Sequence, residues 1–299
     1  MKVIIYPDVD IWEFVLSGLK DRTDVQLCAL NKFSNIIQKG LRKYDLSSFL
    51  PAPFLLGSEL RRTIQRLCPG DSLVLAEYTE PALITALSKI IPEGVSRYVW
   101  LWNHKGNNQK FKHCLSSLSR NHFQVVSYDE LDAESFGFKW HTQFFNIKPY
   151  QATANIDYPI SFDFLFVGYA KNREEEIESI LSLLSDYSCK FVTVHNNADY
   201  IPYREYMEMA RHARCIVEIV RTGDPSCTLR PLEALATHRK LLTNNPSVRR
   251  YSFYNPQNIF ILGEDDTTRL SEFILSPFEE LPSTVVDCYD VNTWVDTFR

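Results

Sequence analysis

The chain has 299 residues, of which 45% are hydrophobic and 23% charged, with a formal net charge of −5. This composition excludes a disordered chain and argues against a general nucleic-acid binder, and the length suits two domains with cores of their own. Seven widely spaced cysteines without a CxxC pair read as reduced thiols, and the opening MKVIIYPDVDIWEF lacks the pattern of a signal peptide. No run of about eighteen apolar residues predicts a spanning helix. The expected location is therefore the cytoplasm, with peripheral contact at the inner face of the membrane left open.

In chain order, KVIIY, DIWEFVLSGLKDR and VQLCAL read as strand, helix and strand. SELRRTIQRLC precedes SLVLAEY; EPALITALSKII leads to SRYVWLWN, and NQKFKHCLSSLSRN to FQVVSY. This βαβ rhythm predicts a mostly parallel sheet covered by helices, without fixing strand order. Strand ends supply the candidates for chemistry. Asp8 and Asp10 follow the first strand, Glu77 follows SLVLA, and His104 follows SRYVWLWN; nothing in the sequence distinguishes a general base among these four. Tyr98, Trp100 and Trp102 alternate along a strand that ends at Asn103, which suits either a core or a carbohydrate surface. On the second reading Trp100, Trp102 and Asn103 face an acceptor.

From Phe136 to Pro159 the rhythm stops, and this aromatic, Asn- and Pro-containing stretch reads as an interdomain passage. DFLFVGYAKNREEEIESILSLLSDY then restarts it as strand, glycine turn and amphipathic helix. Gly168 and Tyr169 stand at the strand's carboxyl end, where a ligand can approach the backbone. Lys171 and Arg173 can neutralise a diphosphate there, although GYAKNR lacks the later glycines of the dinucleotide fingerprint. CKFVTVH is the next strand, with His195 at its carboxyl end. Tyr200 and Tyr203 could border a base or pack at an interface, and IPYREYMEMARHARCIVEIV reads as helix into strand.

The stretch SCTLRPLEALATHRKLLTNN carries the strongest signal. Thr228 suits an N-cap and Pro231 a first helical turn. Leu229, Leu232, Leu235 and Ala236 form an apolar face, while Arg230 and Glu233 share another at i,i+3. Arg230 can grip phosphate bidentately and Glu233 can accept from a ribose diol; the alternative is an exposed Arg–Glu pair worth a few tenths of a kcal/mol. The preceding turn adds Asp224 and the hydroxyls of Ser226 and Thr228. Arg230→Ala is expected to weaken donor use far more than folding. Seven histidines form no HExxH or other tight cluster, and GxSxG and Walker A loops are absent, so neither metal nor cofactor is expected unless distant residues converge.

FLFVGYAKNR, IPYREYMEMARHARCIVEIV, LRPLEALATHRKLLTNN and YSFYNPQNIFILGED together resemble the nucleotide-sugar domain of two-domain glycosyltransferases of the GT-B type. The resemblance is closer to a bacterial family of lipopolysaccharide and capsule assembly; it covers Asp163 to Arg299, with a weaker match at GFKWHTQFF. It implies an α/β fold of two Rossmann-like domains facing across a cleft. The expected parts are an acceptor-side domain at 1–150, a donor domain at 151–283, and a C-terminal helix at 284–299 packing back through Trp294 and Phe298. It also implies metal-independent transfer from a nucleotide-sugar donor to a saccharide or lipid-linked saccharide acceptor, with Glu233 on the donor ribose and Lys171, Arg173 or Arg230 on the diphosphate. Retaining members often carry an acid eight positions before that glutamate; Pro225 stands there, beside Asp224, which leaves the stereochemical outcome open. A nucleotide-sugar epimerase and a non-catalytic nucleotide-sugar binding module are the alternatives.

Overall fold

The structure, a computed structural model, describes residues 1–30, 56–106, 109–152, 158–170, 173–196, 199–221 and 227–299. Lys171, Asp224, Pro225 and Ser226 lie outside the described residues. The chain forms two compact units, Met1–Gln143 with Asn292–Arg299, and Phe144–Val291.

The first unit runs β1 (Lys2–Pro7), α1 (Asp10–Leu16), β2 (Val25–Leu30), α2 (Ser58–Gln65), β3 (Ser72–Ala76), α3 (Pro81–Ser88), β4 (Ser96–Leu101), α4 (Gln109–Arg120), β5 (Gln124–Ser127), α5 (Glu130–Phe136) and β6 (Lys139–Trp140). All pairings are parallel, in the order β2-β1-β3-β4-β5-β6. Strand alternation builds two cores. Val3, Ile5, Leu73, Leu75, Val99 and Leu101 share one cluster with Leu60, Ile64 and Leu83 from the helices. Trp100 leaves that cluster and packs edge-on against Trp294, centroids 5.7 Å apart, while Tyr98 meets Phe298 at 5.2 Å. Residues 292–299 thus cover the second face of the sheet; Asp296 adds ion pairs to Arg22 at 2.7 Å and Lys2 at 3.1 Å.

The second unit runs α6 (Lys148–Gln151), β7 (Phe162–Tyr169), α7 (Glu174–Leu183), β8 (Cys189–Val194), α8 (Tyr203–Arg211), β9 (Ala213–Glu218), α9 (Arg230–Thr237), β10 (Lys240–Thr243), β11 (Ile259–Ile261), α10 (Leu270–Leu275) and α11 (Ser283–Asp287). Its parallel sheet is ordered β11-β10-β9-β7-β8. Phe164, Phe166, Cys215, Val217, Leu242 and Phe260 form its core with Ile177, Ile180 and Phe273. The α/β, two-sheet fold class is therefore present.

Two details differ from the sequence reading. The passage after Phe136 is not wholly irregular, since β6 extends the first sheet by pairing with β5. The tail is two short helices, α11 and α12 (Val291–Val295), rather than one. The break falls where Tyr289 to Val291 bond to the backbone of Phe145 and Asp290 Oδ2 accepts the Lys148 N–H, pairings a continuous helix cannot make. Among the described residues no helix is long and apolar enough to cross a membrane.

Candidate functional site

In a doubly wound parallel sheet, adjacent strands whose connections leave in opposite directions open a crevice at their carboxyl ends, the usual ligand position. The second sheet switches between β7 and β9, and the first between β1 and β3.

Two arginines span the second-unit switch point. Arg173, the residue before α7, donates through Nη2 to Tyr169 O at 2.8 Å, at the end of β7, and through Nη1 to Ile219 O, just beyond β9. At Gly168 beside it, a Cβ would be tight against the Phe166 ring at 3.0 Å and in ordinary contact with Arg173 Nη2 at 3.5 Å. Arg230 opens α9 and donates through Nη2 to Val167 O, back on β7, at 2.5 Å. Burial lowers the Arg173 pKa, and the charges of Arg230 and Arg221 lower it further. Arg173 thus stands in the field of two further arginines at one sheet edge, opposed in part by Glu218 and Glu176.

Glu233, expected on the donor ribose, is fully buried. Tyr203 O–H donates to its Oε1, and Tyr206 O–H to its Oε2 at 2.6 Å. Arg230 Nη1 donates to the same Oε2, and its guanidinium lies 4.3 Å from the centroid of the Tyr206 ring. The exposed Arg–Glu pair is overturned, since the pair is an interior one. Burial by itself would lower the Arg230 pKa, but Glu233, Tyr206 and Tyr203 together carry it up. Both tyrosine hydroxyls are pushed well up, first by burial, so Tyr203 is an interior hydrogen-bond donor rather than a border for a base. Tyr200 remains exposed beyond β8. His195 is also exposed, in a loop whose His195 and Asn196 N–H groups donate to Asp199 Oδ2.

The turn between β9 and α9 is pinned at both stems. Asn244 accepts from Val220 N–H at 2.7 Å and donates to Val220 O at 2.9 Å, so one side chain extends the sheet by a step. Thr228 O–H donates to Glu218 Oε1 and its oxygen accepts from Arg230 N–H at 3.1 Å; the N-cap position itself is Leu229, with no side-chain cap, so Thr228 is not the N-cap the sequence suggested but braces the turn just before it. Thr243 O–H serves Glu218 Oε2 at 2.6 Å. Glu218 is buried, and burial raises its pKa against the pull of both hydroxyls. Sequence reading missed it; a lone glutamate ending the apolar run CIVE was the available signal.

In the first unit, Glu77 ends β3 with φ 64°, a left-handed conformation uncommon for a residue with a side chain. Its carboxylate accepts the N–H groups of Trp102 and Asn103 and pairs with Lys105 Nζ at 2.8 Å, so it braces the loop after β4. Trp100 is fully buried beneath Trp294, which removes it from any acceptor surface. Trp102 is half-buried, its ring 4.1 Å from that of Trp12, and Asn103 is exposed. Asp8 and Asp10 are half-buried near the end of β1.

His104 stands apart from the other three base candidates. Its Nδ1 lies 3.3 Å from both Asp129 Oδ2 and Asp132 Oδ1, carboxylates that are all but buried while the imidazole is 41% exposed. Asp129 caps α5 by accepting Asp132 N–H, and Asp132 accepts the N–H groups of Lys105 and Gly106. A Cβ at Gly106 would come within 2.8 Å of His104 Nε2, so glycine leaves that nitrogen uncovered. These three side chains also offer one metal-ligating atom each within 4.8 Å, the convergence the sequence could not reveal. The motif DELD after FQVVSY was the sequence signal for both aspartates.

Comparison with known proteins adds a likeness among solved structures. No protein-family model matches, and no curated protein matches. Among solved structures, the chain is similar to an alpha-glucosyltransferase in complex with UDP and a 13-mer DNA containing a central A:G mismatch. The identity is 11% and the TM-score 0.49, covering 100% of this chain and 93% of that one.

Proposed function

We propose that the protein is a glycosyltransferase that takes a sugar from a nucleotide-sugar donor and transfers it to a saccharide acceptor. The observation that carries this reading is the crossing of the β7/β9 switch point by Arg173 and Arg230, with Arg221 near enough to add its charge. A leaving diphosphate needs such an anion site, and guanidinium groups held by backbone carbonyls offer it without reorganising. The sequence resemblance adds the donor class, and its lipopolysaccharide or capsule context supplies the proposed pathway and a lipid-linked saccharide as one form of acceptor.

On this reading, Arg173, Arg221 and Arg230 counter the diphosphate as the anomeric C–O bond breaks. Within the first unit, His104, whose Nδ1 lies 3.3 Å from two carboxylates, offers Nε2 as the candidate base for an acceptor hydroxyl. Asp129 and Asp132 both face the Nδ1 side of the ring, leaving Nε2 on the other.

The test is a thermal-shift panel of nucleotide sugars, followed by mass spectrometry of saccharide acceptors incubated with the stabilising donor. A glycosylated acceptor is expected. Donor isomerisation without acceptor product points to an epimerase, and binding without turnover under any acceptor points to a binding module. A chain that binds no nucleoside diphosphate has none of these functions.

A further inference from the structure

Glu233 has the sequence position of a ribose-binding glutamate, yet all of its hydrogen-bond partners are protein side chains. Tyr203 occupies Oε1, and Tyr206 and Arg230 share Oε2, around a side chain with no exposed surface. A ribose diol would have to displace two buried phenols to reach it. Arg230 is different. One Nη1 hydrogen goes to Glu233 and one Nη2 hydrogen to Val167 O; the other three guanidinium N–H groups have no partner among the described residues, on a side chain that is 21% exposed. The Tyr206 ring backs the plane of that fork at 4.3 Å.

We propose that Glu233, with Tyr203 and Tyr206, is a positioning group that aims the Arg230 fork at the diphosphate, and that it does not read the donor ribose. This deepens the glycosyltransferase reading and rests on it. Tyr203 and Tyr206 lie at i,i+3 on α8, so one helix face presents both hydroxyls to one carboxylate on α9. The carboxylate fixes the torsion of the arginine, and the carbonyl of Val167 fixes its second branch. The ligand chemistry recognised through this group is that of a diphosphate, whatever sugar ring carries it.

The test uses the full chain and three probes: inorganic pyrophosphate, a nucleoside diphosphate, and its 2′,3′-dideoxy form. Calorimetry is run on wild type, Glu233→Gln and Tyr206→Phe, with thermal melting to confirm folding; Tyr206→Phe keeps the ring and tests the idea where Glu233→Gln folds poorly. Both variants should lose about tenfold in affinity for all three probes, the scale of a charge-assisted hydrogen bond. The preference for ribose over dideoxyribose should be the same in wild type and Glu233→Gln. Pyrophosphate affinity unchanged in Glu233→Gln, with the ribose preference lost, overturns the proposal and restores a ribose role. Wild type that binds no pyrophosphate or nucleoside diphosphate removes the glycosyltransferase reading itself, and the positioning role with it. The wild-type arm therefore separates the two failures.

Discussion

At the carboxyl ends of β3 and β5, the acidic side chains Glu77, Asp129 and Asp132 accept backbone N–H groups from Trp102, Asn103, Asp132, Lys105 and Gly106. In the second unit, at β9 and α9, Glu218 and Glu233 accept side-chain hydroxyls and a guanidinium among the described residues. The first arrangement fixes loops and brings an imidazole up against two carboxylates. The second fixes other side chains and holds an arginine at an edge where two more arginines gather. The acids thus fix loops at one edge and other side chains at the other, because the partners differ and not the acids.

The largest effect that tests this contrast comes from Arg230→Ala. Expected from the sequence to weaken donor use far more than folding, this change also strands Glu233 as a buried carboxylate, a loss of roughly 3–5 kcal/mol. Denaturant melts should show the second unit destabilised by about that amount, and a variant as stable as wild type would break the account of Glu233 as a buried ion-pair partner. Next is His104→Ala, expected to cut transfer roughly 10²–10⁴-fold, the usual range for losing a general base, with donor affinity unchanged. A parallel fall in donor affinity would erase the division of labour between the two edges.

The smallest effect is a pH dependence. The folded-state pKa of Glu218 is raised by burial, so its contribution to stability is present at acid pH and is lost as pH rises through that raised value. Asp24, Asp71 and Asp296 in the first unit are lowered, Asp24 and Asp296 chiefly by hydrogen bonds from Arg22 and Asp71 by the Cys68 N–H, so their contributions are lost instead as pH falls. Glu218→Gln should therefore gain stability relative to wild type as pH increases from about 4.5 toward neutrality. A difference that stays flat with pH, measured by denaturant melts, counts against the raised carboxyl.

The sheet architecture was legible because strand alternation and helical periodicity are local, and KVIIY, SLVLA and DFLFV each fall within a strand. The two-residue strand Lys139–Trp140 was not, since its pairing depends on β5 rather than on its own pattern. At the site, Arg230 and Arg173 were legible as cations beside strand ends. The burial of Glu233 was not, because Tyr203 and Tyr206 lie about thirty residues away and meet it only when α8 packs beside α9. Trp100 and Trp102 carry identical sequence signals, and only the covering residue Trp294 sends the first into the core.

Residues 292–299 belong to the first unit although the whole of the second precedes them in the chain. On the ribosome, the second unit's segment is therefore complete while the first still lacks the piece that covers Tyr98 and Trp100. The amino-terminal half finishes second, reversing the usual vectorial order, and its aromatic sheet face waits uncovered for as long as translation of about 150 residues takes, on the order of ten seconds or more.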